Sequence, residues 1–312
     1  MEYWNMNAGA KKQMGIHLPR KWALLLMALP FVIYIIMFCY VPLFGWILAF
    51  FDYVPGIPLK DTQFVGLKYF KMAFSQSDDI VRVLKNTMAM YMLGLLFSPI
   101  PMIYAIFLNE IRSRKFKRFT QTAVTFPNFI SWIIVASIAS SFFSTEGQIN
   151  MLLRIFNSNA GPVNVLGNEN IVWIFQALLG VWKSFGWNAI IYMAALTGID
   201  ESIYEAARID GAGRLNCALY ITVPGLMPTF LILTLLSISN FLSVGFDQYF
   251  VFNNYLVADK IEVLDLYVYR LGIKLNCYSL ATAIGIFKSI LSITLLFSVN
   301  KIVKKVRGEA LI

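Results

Sequence analysis

The stretch Asp200-Glu-Ser-Ile-Tyr-Glu-Ala-Ala-Arg-Ile-Asp210-Gly-Ala-Gly-Arg-Leu-Asn-Cys-Ala-Leu-Tyr220-Ile-Thr-Val-Pro-Gly-Leu-Met-Pro228 is unlike a simple connector. Asp200 is placed to cap a helix, and residues 201–209 are good helix formers. Asp210-Gly211 is a turn pair, in which Gly211 tolerates a left-handed backbone. A second short helix is predicted over about residues 214–220, and Pro224 opens the next element. The paired alanines Ala206 and Ala207 give the first helix a shallow face, and Glu205, Arg208 and Asp210 set charged handles around it. That combination suits docking into a groove on another protein.

Moving outward, the stretch lies between two long apolar runs. Crossing the hydrocarbon core of a bilayer takes about 20 residues. Six runs reach that length: 22–51, 86–108, 121–143, 171–196, 224–252 and 279–303. The first is too long for a signal peptide and lacks a small-residue cleavage site. An even number of crossings puts both termini on one side. The segments 1–21, 110–120, 197–223 and 304–312 hold 14 Lys and Arg, whereas 52–85, 144–170 and 253–278 hold 9 over a longer total length. The bias is sharpest in the short loop Arg112-Ser-Arg-Lys-Phe-Lys-Arg118. It places both termini, and the 197–228 loop, in the cytoplasm. The expected organisation is therefore all-α and polytopic: a cytoplasmic segment 1–21, a six-helix membrane domain 22–303 and a cytoplasmic tail 304–312.

Composition agrees. Apolar residues make up 58% of the 312 and charged ones 14%, against roughly 45–50% and roughly 25% in soluble domains. A soluble core of this size cannot hide that much apolar surface, so the solvent for the surplus is lipid. The net charge of +9 reports topology rather than nucleic acid, because the positives cluster beside apolar runs. Cys39, Cys217 and Cys277 share no metal-ligand or disulfide spacing, and His17 is the only histidine, so neither a metal centre nor a histidine-based catalytic site is expected. The chain has no Gly-x-x-x-x-Gly-Lys-Ser/Thr loop with which to cradle a nucleotide. Pro42, Pro99 with Pro101, and Pro127 are expected to bend their spans. Ala136, Ser137, Ser140 and Ser141 repeat at a spacing that favours close helix contact.

Glu205-Ala206-Ala207, then Asp210-Gly211-Ala212, then Ile221, Pro224 and Pro228 resemble the EAA loop of ABC-importer permeases of the binding-protein-dependent class. Gly211 precedes Ile221 by the ten positions of that pattern. Cys217 and Val223 depart from it, where the sugar-importer branch usually has an aromatic residue and a leucine; both are expected on the packing side of the loop. Tyr40-Val41-Pro42, Asn109-Glu110-Ile111-Arg112, Val244-Gly245-Phe246-Asp247-Gln248, Tyr267-Val268-Tyr269-Arg270 and Phe287-Lys288-Ser289 resemble the polysaccharide-permease (LplB-like) branch of carbohydrate importers.

The resemblance implies the type I importer permease fold and a non-catalytic subunit of the bacterial cell membrane. ATP and Mg would be bound by a separate cytosolic ATPase dimer. The loop, through Glu205, Ala206, Ala207, Arg208, Asp210, Gly211 and Ala212, would seat in a groove of that ATPase. A second permease subunit would complete the pathway, and an extracellular binding protein would deliver an oligosaccharide to the segments 52–85, 144–170 and 253–278, whose Gly, Pro and Asn content, as in Asn159-Ala160-Gly161-Pro162, reads as surface loop. Acidic sugars from polysaccharide breakdown are among the candidate cargoes. Sugar-recognising candidates in the spans are Lys183, Trp187, Asn188, Tyr192, Asn240, Ser243, Asp247, Gln248 and Lys288. A charge at membrane depth faces water or a partner, so Lys183 and Lys288 read equally as substrate contacts or as ion-pair partners of Asp247. Trp173, Trp182 and Trp187 read equally as interface anchors. An intramembrane lipid-modifying enzyme and a carrier without ATP are the competing readings. The first lacks a catalytic constellation and the second has no use for the loop.

Overall fold

A computed structural model describes residues 19–75, 77–156, 161–243 and 245–307. Expectations for the basic amino-terminal stretch with Lys11, Lys12 and His17, for Asn159-Ala160, for Val244 and for residues 308–312 fall outside the described residues. The chain divides into a unit ending at Ile47 and a unit from Leu48 onward.

The first unit holds α1 (Arg20–Ile35), a π turn, Ile36–Tyr40, and most of a 3-10 segment, Val41–Phe50. Pro42 cannot donate to the preceding turn, and the helix widens just before it and tightens just after. Its large apolar side chains are exposed, as expected of a helix whose solvent is hydrocarbon.

The second unit continues with α2 (Lys68–Ser75), α3 (Ser77–Leu96), α4 (Ile100–Glu110), α5 (Arg114–Thr125), α6 (Trp132–Phe143) and α7 (Gln148–Phe156). Then come α8 (Val172–Leu196), α9 (Glu201–Ile209), α10 (Arg214–Cys217), α11 (Val223–Ser239), α12 (Phe246–Phe252), α13 (Ala258–Ile261), α14 (Leu264–Tyr269) and α15 (Tyr278–Arg307). Among the described residues there is no strand, only an isolated bridge between Phe51 and Phe64.

Among the described residues four helical runs are long and apolar enough to cross a membrane: Leu24–Phe50, Asp78–Glu110, Arg214–Ile238 and Tyr278–Lys301. A fifth is a broken pair, Arg114–Phe129 and Trp132–Phe156, bent by 102°. The break follows Pro127: the chain tightens to a 3-10 turn at Phe126–Phe129, extends at Ile130, and restarts where the Ser131 hydroxyl accepts the Ile134 amide. The predicted 171–196 span is the 25-residue α8, which is not among these runs, since Gln176, Lys183 and Asn188 dilute its apolar character. α8 is nonetheless the central helix, packed by α3, α4, α5 and α11. Where it crosses α5, a Cβ on Gly186 would lie 2.3 Å from the Val124 carbonyl oxygen, so only glycine allows that approach.

Two expectations are corrected. The fifth run does not continue helically to 252. It ends at Ser239, turns through Asn240, and restarts at α12 after Gly245, whose φ is +45°. An apolar run cannot itself distinguish one helix from a helix, a turn and a second helix. The segment 253–278, expected as surface loop, is instead largely core. Val257, Ile261, Val263, Leu264, Leu266 and Tyr267 are buried against Met90, Val135, Val172, Val83 and Leu280. It is also stitched by hydrogen bonds. Asn86 Nδ2 donates to the Asp259 and Glu262 carbonyls (2.8 and 3.0 Å), the Leu264 amide donates to Thr87 Oγ1 (3.0 Å), and Trp173 Nε1 donates to the Lys260 carbonyl (2.8 Å). The Glu262 carboxylate is buried, and accepts from Arg270 (2.5 and 3.1 Å) and Arg82 (3.2 Å), while Arg82 also reaches Asp259 (2.7 Å) and Asp79 (2.9 Å). Glu262 holds the Arg270 guanidinium above its ordinary pKa. A buried carboxylate is tolerable only when it is paired, and two half-buried guanidinium groups pair this one.

The small residues of α6 pack differently from expectation. Val135 and Ala139 are its buried positions, while Ser137, Ser140 and Ser141 stay exposed within this chain, with Ser137 and Ser141 donating back to carbonyls one turn earlier.

Candidate functional site

The 197–228 loop folds as a hook. Asp200 Oδ1 accepts the Ser202 amide at 3.0 Å, which starts α9 and lowers the Asp200 pKa. After Ile209 the chain reverses through Gly211, whose φ of +81° is left-handed; the Gly211 and Ala212 amides donate to the Arg208 and Ala207 carbonyls at 3.1 and 2.9 Å. The predicted second helix does not stop near Tyr220. It runs from α10 through a π turn, Ala218–Thr222, directly into α11, and the widened turn lies just before Pro224, which has no amide to donate. Tyr204 pairs its hydroxyl with Thr222 at 2.9 Å, tying the two arms together. Cys217 is buried beneath the turn, and Val223 is half-buried, on the packing side as expected.

The outer surface of the hook combines charge with exposed apolar side chains. Glu205, Ala206, Arg208, Asp210 and Gly211 are exposed, and Ala207 and Ala212 are half-buried. Beside them Ile209 is 86% exposed and Leu215 72%. The two alanines thus divide their work: Ala206 faces outward and Ala207 faces the other arm. Between the hook and Asn109–Arg112 is a cavity of about 550 Å³, bordered by Tyr204, Arg208, Arg214 and Cys217.

The polar residues of the spans do not converge on one site. Asn188 and Tyr192 line a cavity of about 400 Å³ between α3, α8 and α11, together with Tyr91, Ser184, Thr234 and Ser237. Across it the Tyr91 and Ser237 hydroxyls are 3.2 Å apart. Sequence reasoning missed Tyr91, Ser184 and Ser237, although Ser184, Asn188 and Tyr192 recur every four residues, the signal of a shared helix face. Lys183 and Asp247 line a second cavity of about 480 Å³ with Trp132, Phe246 and Phe250. Trp187 is half exposed and edge-on to Phe129, 5.9 Å between ring centres. Asn240 and Ser243 are exposed in the turn after α11. Gln248 is buried and donates to the backbone and side-chain oxygens of Gln176, both at 2.8 Å, and so is spent on packing.

The alternative pairing with Asp247 is not adopted by either lysine. Lys288 pairs with Asp265 of α14. Lys183 donates to the Pro127 and Asn128 carbonyls at 3.3 and 2.8 Å and sits over the Trp132 ring at 5.4 Å. Both carbonyls lie in the turn at the bend, where that of Pro127 also accepts the Ile130 amide at 3.2 Å.

Long apolar helices, an exposed hook of short ones and cavities with polar lining define a polytopic membrane component. The chain belongs to the family of binding-protein-dependent transport system inner membrane components, whose model matches residues 97–308. It is similar to Protein LplB of Bacillus subtilis (strain 168), 39% identical over 293 residues that cover 93% of this chain and 91% of the relative. It is also similar to the polygalacturonan/rhamnogalacturonan transport system permease protein YteP of the same organism, 36% identical over 303 residues covering 96% and 94%. Among solved structures it matches the bacterial alginate ABC transporter in complex with alginate pentasaccharide-bound periplasmic protein, with a TM-score of 0.83 and 30% identity, covering 94% of this chain and 97% of that one. The chain is thus a multi-pass permease component of an ABC transport system of the inner membrane.

Proposed function

We propose that this chain is one half of the membrane pathway of an ATP-driven oligosaccharide importer, driven through the hook. The observation that carries the reading is the exposed surface of α9 and its turn, where Glu205, Ala206, Arg208, Asp210 and Ile209 lie together without ion-pair partners among the described residues. A partner ATPase dimer holds ATP and Mg. Its closure draws the hook inward, and because α10 is continuous with α11, the pull passes to a span without an intervening loop. Glu205 contacts a basic residue of the ATPase, Ala206 permits close seating, and Gly211 and Ala212 fix the turn.

In this reading there are six crossings, with α8 as the one shielded by its neighbours, and both termini are cytoplasmic. One relative is named for polygalacturonan/rhamnogalacturonan transport and the matched structure is an alginate transporter, and a sugar cargo suits cavities that pair aromatic side chains with hydroxyl and amide groups. Asn188 and Tyr192 belong to one part of the pathway, Lys183 and Asp247 to another, with Trp187, Asn240 and Ser243 nearby in sequence. A second permease subunit completes the pathway and an extracellular binding protein delivers the sugar.

The test is Glu205→Ala combined with Gly211→Pro. The variant is expected in the membrane at normal level, without ATPase co-purifying and without ATP-driven uptake. Uptake at the wild-type rate would refute the coupling role.

A further inference from the structure

Two lysines lie on helices that line or approach the bundle interior, and the structure treats them differently. Lys288 is neutralised by Asp265. Lys183 has no carboxylate partner among the described residues, although Asp247 lines the same cavity. An ammonium has three donors, and the Pro127 and Asn128 carbonyls account for two. A cation held in a low-dielectric wall without a counter-ion favours an anion strongly.

The rest of the cavity has a matching character. The lysine sits over the Trp132 ring, the stacked Phe246 and Phe250 have centres 5.4 Å apart with Phe250 exposed, and Asp247 and Ser131 supply oxygen atoms. A uronate residue of an acidic oligosaccharide presents those complements on one ring: a carboxylate, several hydroxyl donors and an apolar face. The volume of about 480 Å³ exceeds that of a single sugar ring, so the cavity can hold a segment of a chain. Because Lys183 is anchored to the carbonyls at the bend between α5 and α6, its ammonium is fixed before substrate arrives and little ordering cost remains.

Building on the sugar-importer reading, we propose that Lys183 is the specificity-determining residue for acidic cargo: it receives a uronate carboxylate while Asp247 accepts that sugar's hydroxyl groups and Phe250 covers its apolar face. The Lys288–Asp265 pair takes no part in recognition.

The experiment uses the complete transporter, with its second permease, ATPase and binding protein, reconstituted in liposomes. The probes are trigalacturonate and its fully methyl-esterified form, which differ in charge and little in shape. The wild type is expected to import the acid in preference to the ester. In Lys183→Gln the acid-to-ester ratio should fall by on the order of tenfold, the loss of one charge-assisted hydrogen bond. Lys183→Arg keeps the charge and should keep the preference; it also serves as the informative variant if Lys183→Gln fails to assemble. Equal losses of acid and ester in Lys183→Gln, or loss of the preference in Lys183→Arg, would overturn the assignment in favour of a purely structural lysine. A wild type that imports only the ester would overturn it while leaving the sugar reading intact. A wild type that imports neither, with every saccharide offered to its binding protein refused, would remove the sugar reading and this proposal together.

Discussion

The hook at α9 and the segment from α12 to α14 are both built from short helices and tight turns, and they use them in opposite ways. In the hook, local rules suffice: a cap at Asp200, a left-handed glycine at 211, and few contacts beyond the Tyr204–Thr222 pair. Its surface stays open. The α12–α14 segment satisfies few of its needs locally. It is held by Asn86, Thr87, Trp173, Arg82 and Gln176, which come from α3 and α8, more than 70 positions away in the chain. Short helices left exposed serve a partner, whereas short helices pinned from many directions act as a keystone between long ones.

The contrast predicts that damage to the hook abolishes transport without unfolding, and that damage to the keystone unfolds first. The largest effect is expected for Glu205→Lys, which reverses an exposed charge. Uptake should fall by on the order of a hundredfold, as for a central interface contact, while the thermal midpoint of the detergent-solubilised protein stays within about 2 °C of wild type. A large drop in that midpoint would mean that the hook is structural after all. Next comes Glu262→Ala, which leaves Arg270 without a carboxylate and Arg82 with only Asp79 and Asp259. Because those side chains are 27% and 36% exposed, the full cost of breaking a buried pair is discounted to about 2–3 kcal/mol, read as a lowered thermal midpoint; an unchanged midpoint would contradict the keystone role. Gly211→Val should cost roughly 1–2 kcal/mol of local strain, seen as faster protease cleavage in the hook, with Gly211→Asn milder because asparagine enters the left-handed region more readily.

The smallest effect concerns a second seam. Asp52 accepts the Tyr69 hydroxyl and pairs with Lys68 at 3.3 Å, near the point where Ser279 Oγ donates to the Phe51 carbonyl at 2.7 Å and accepts the Tyr53 amide at 3.1 Å. The Tyr69 hydroxyl, followed by Lys68, holds the Asp52 carboxyl below its ordinary 3.8. Burial, reinforced by Asp52, pushes the Tyr69 phenol up to about 12. A lowered carboxylate contributes stability above 3.8 and loses it as pH falls through the folded value; a raised phenol contributes below 10 and loses it as pH rises towards 12. Asp52→Asn should therefore lie below wild type in midpoint at pH 7, with the gap narrowing as pH falls below 3.8. A gap that does not narrow on acidification would show that charge is not its source.

Much of this was legible in the sequence, for identifiable reasons. Apolar runs located the long helices, Asp200 and Gly211 marked the hook, and Pro127 marked the bend, because each signal acts within a few residues. The break after Ser239 was not legible: the apolar run continues unchanged across it, and the turn is set by where α12 must pack. Burial of 257–272 was hidden too, because Asp259, Lys260, Glu262 and Arg270 give it the polarity of a loop, and their partners Arg82 and Trp173 are distant in sequence. Of the candidate pathway residues, sequence placed Asn188, Tyr192, Lys183 and Asp247 beside cavities. It could not tell that Gln248 and Lys288 were already engaged, since that depends on Gln176 and Asp265 being brought opposite them.

Several bonds across the keystone end on main-chain oxygens, those of Asp259, Lys260 and Glu262, and not on the side chains of those residues. A carbonyl is present whatever amino acid occupies the position. Evolution or an engineer can therefore rewrite the lettering at position 260, and so retune what approaches it, while the joint beneath keeps its fit.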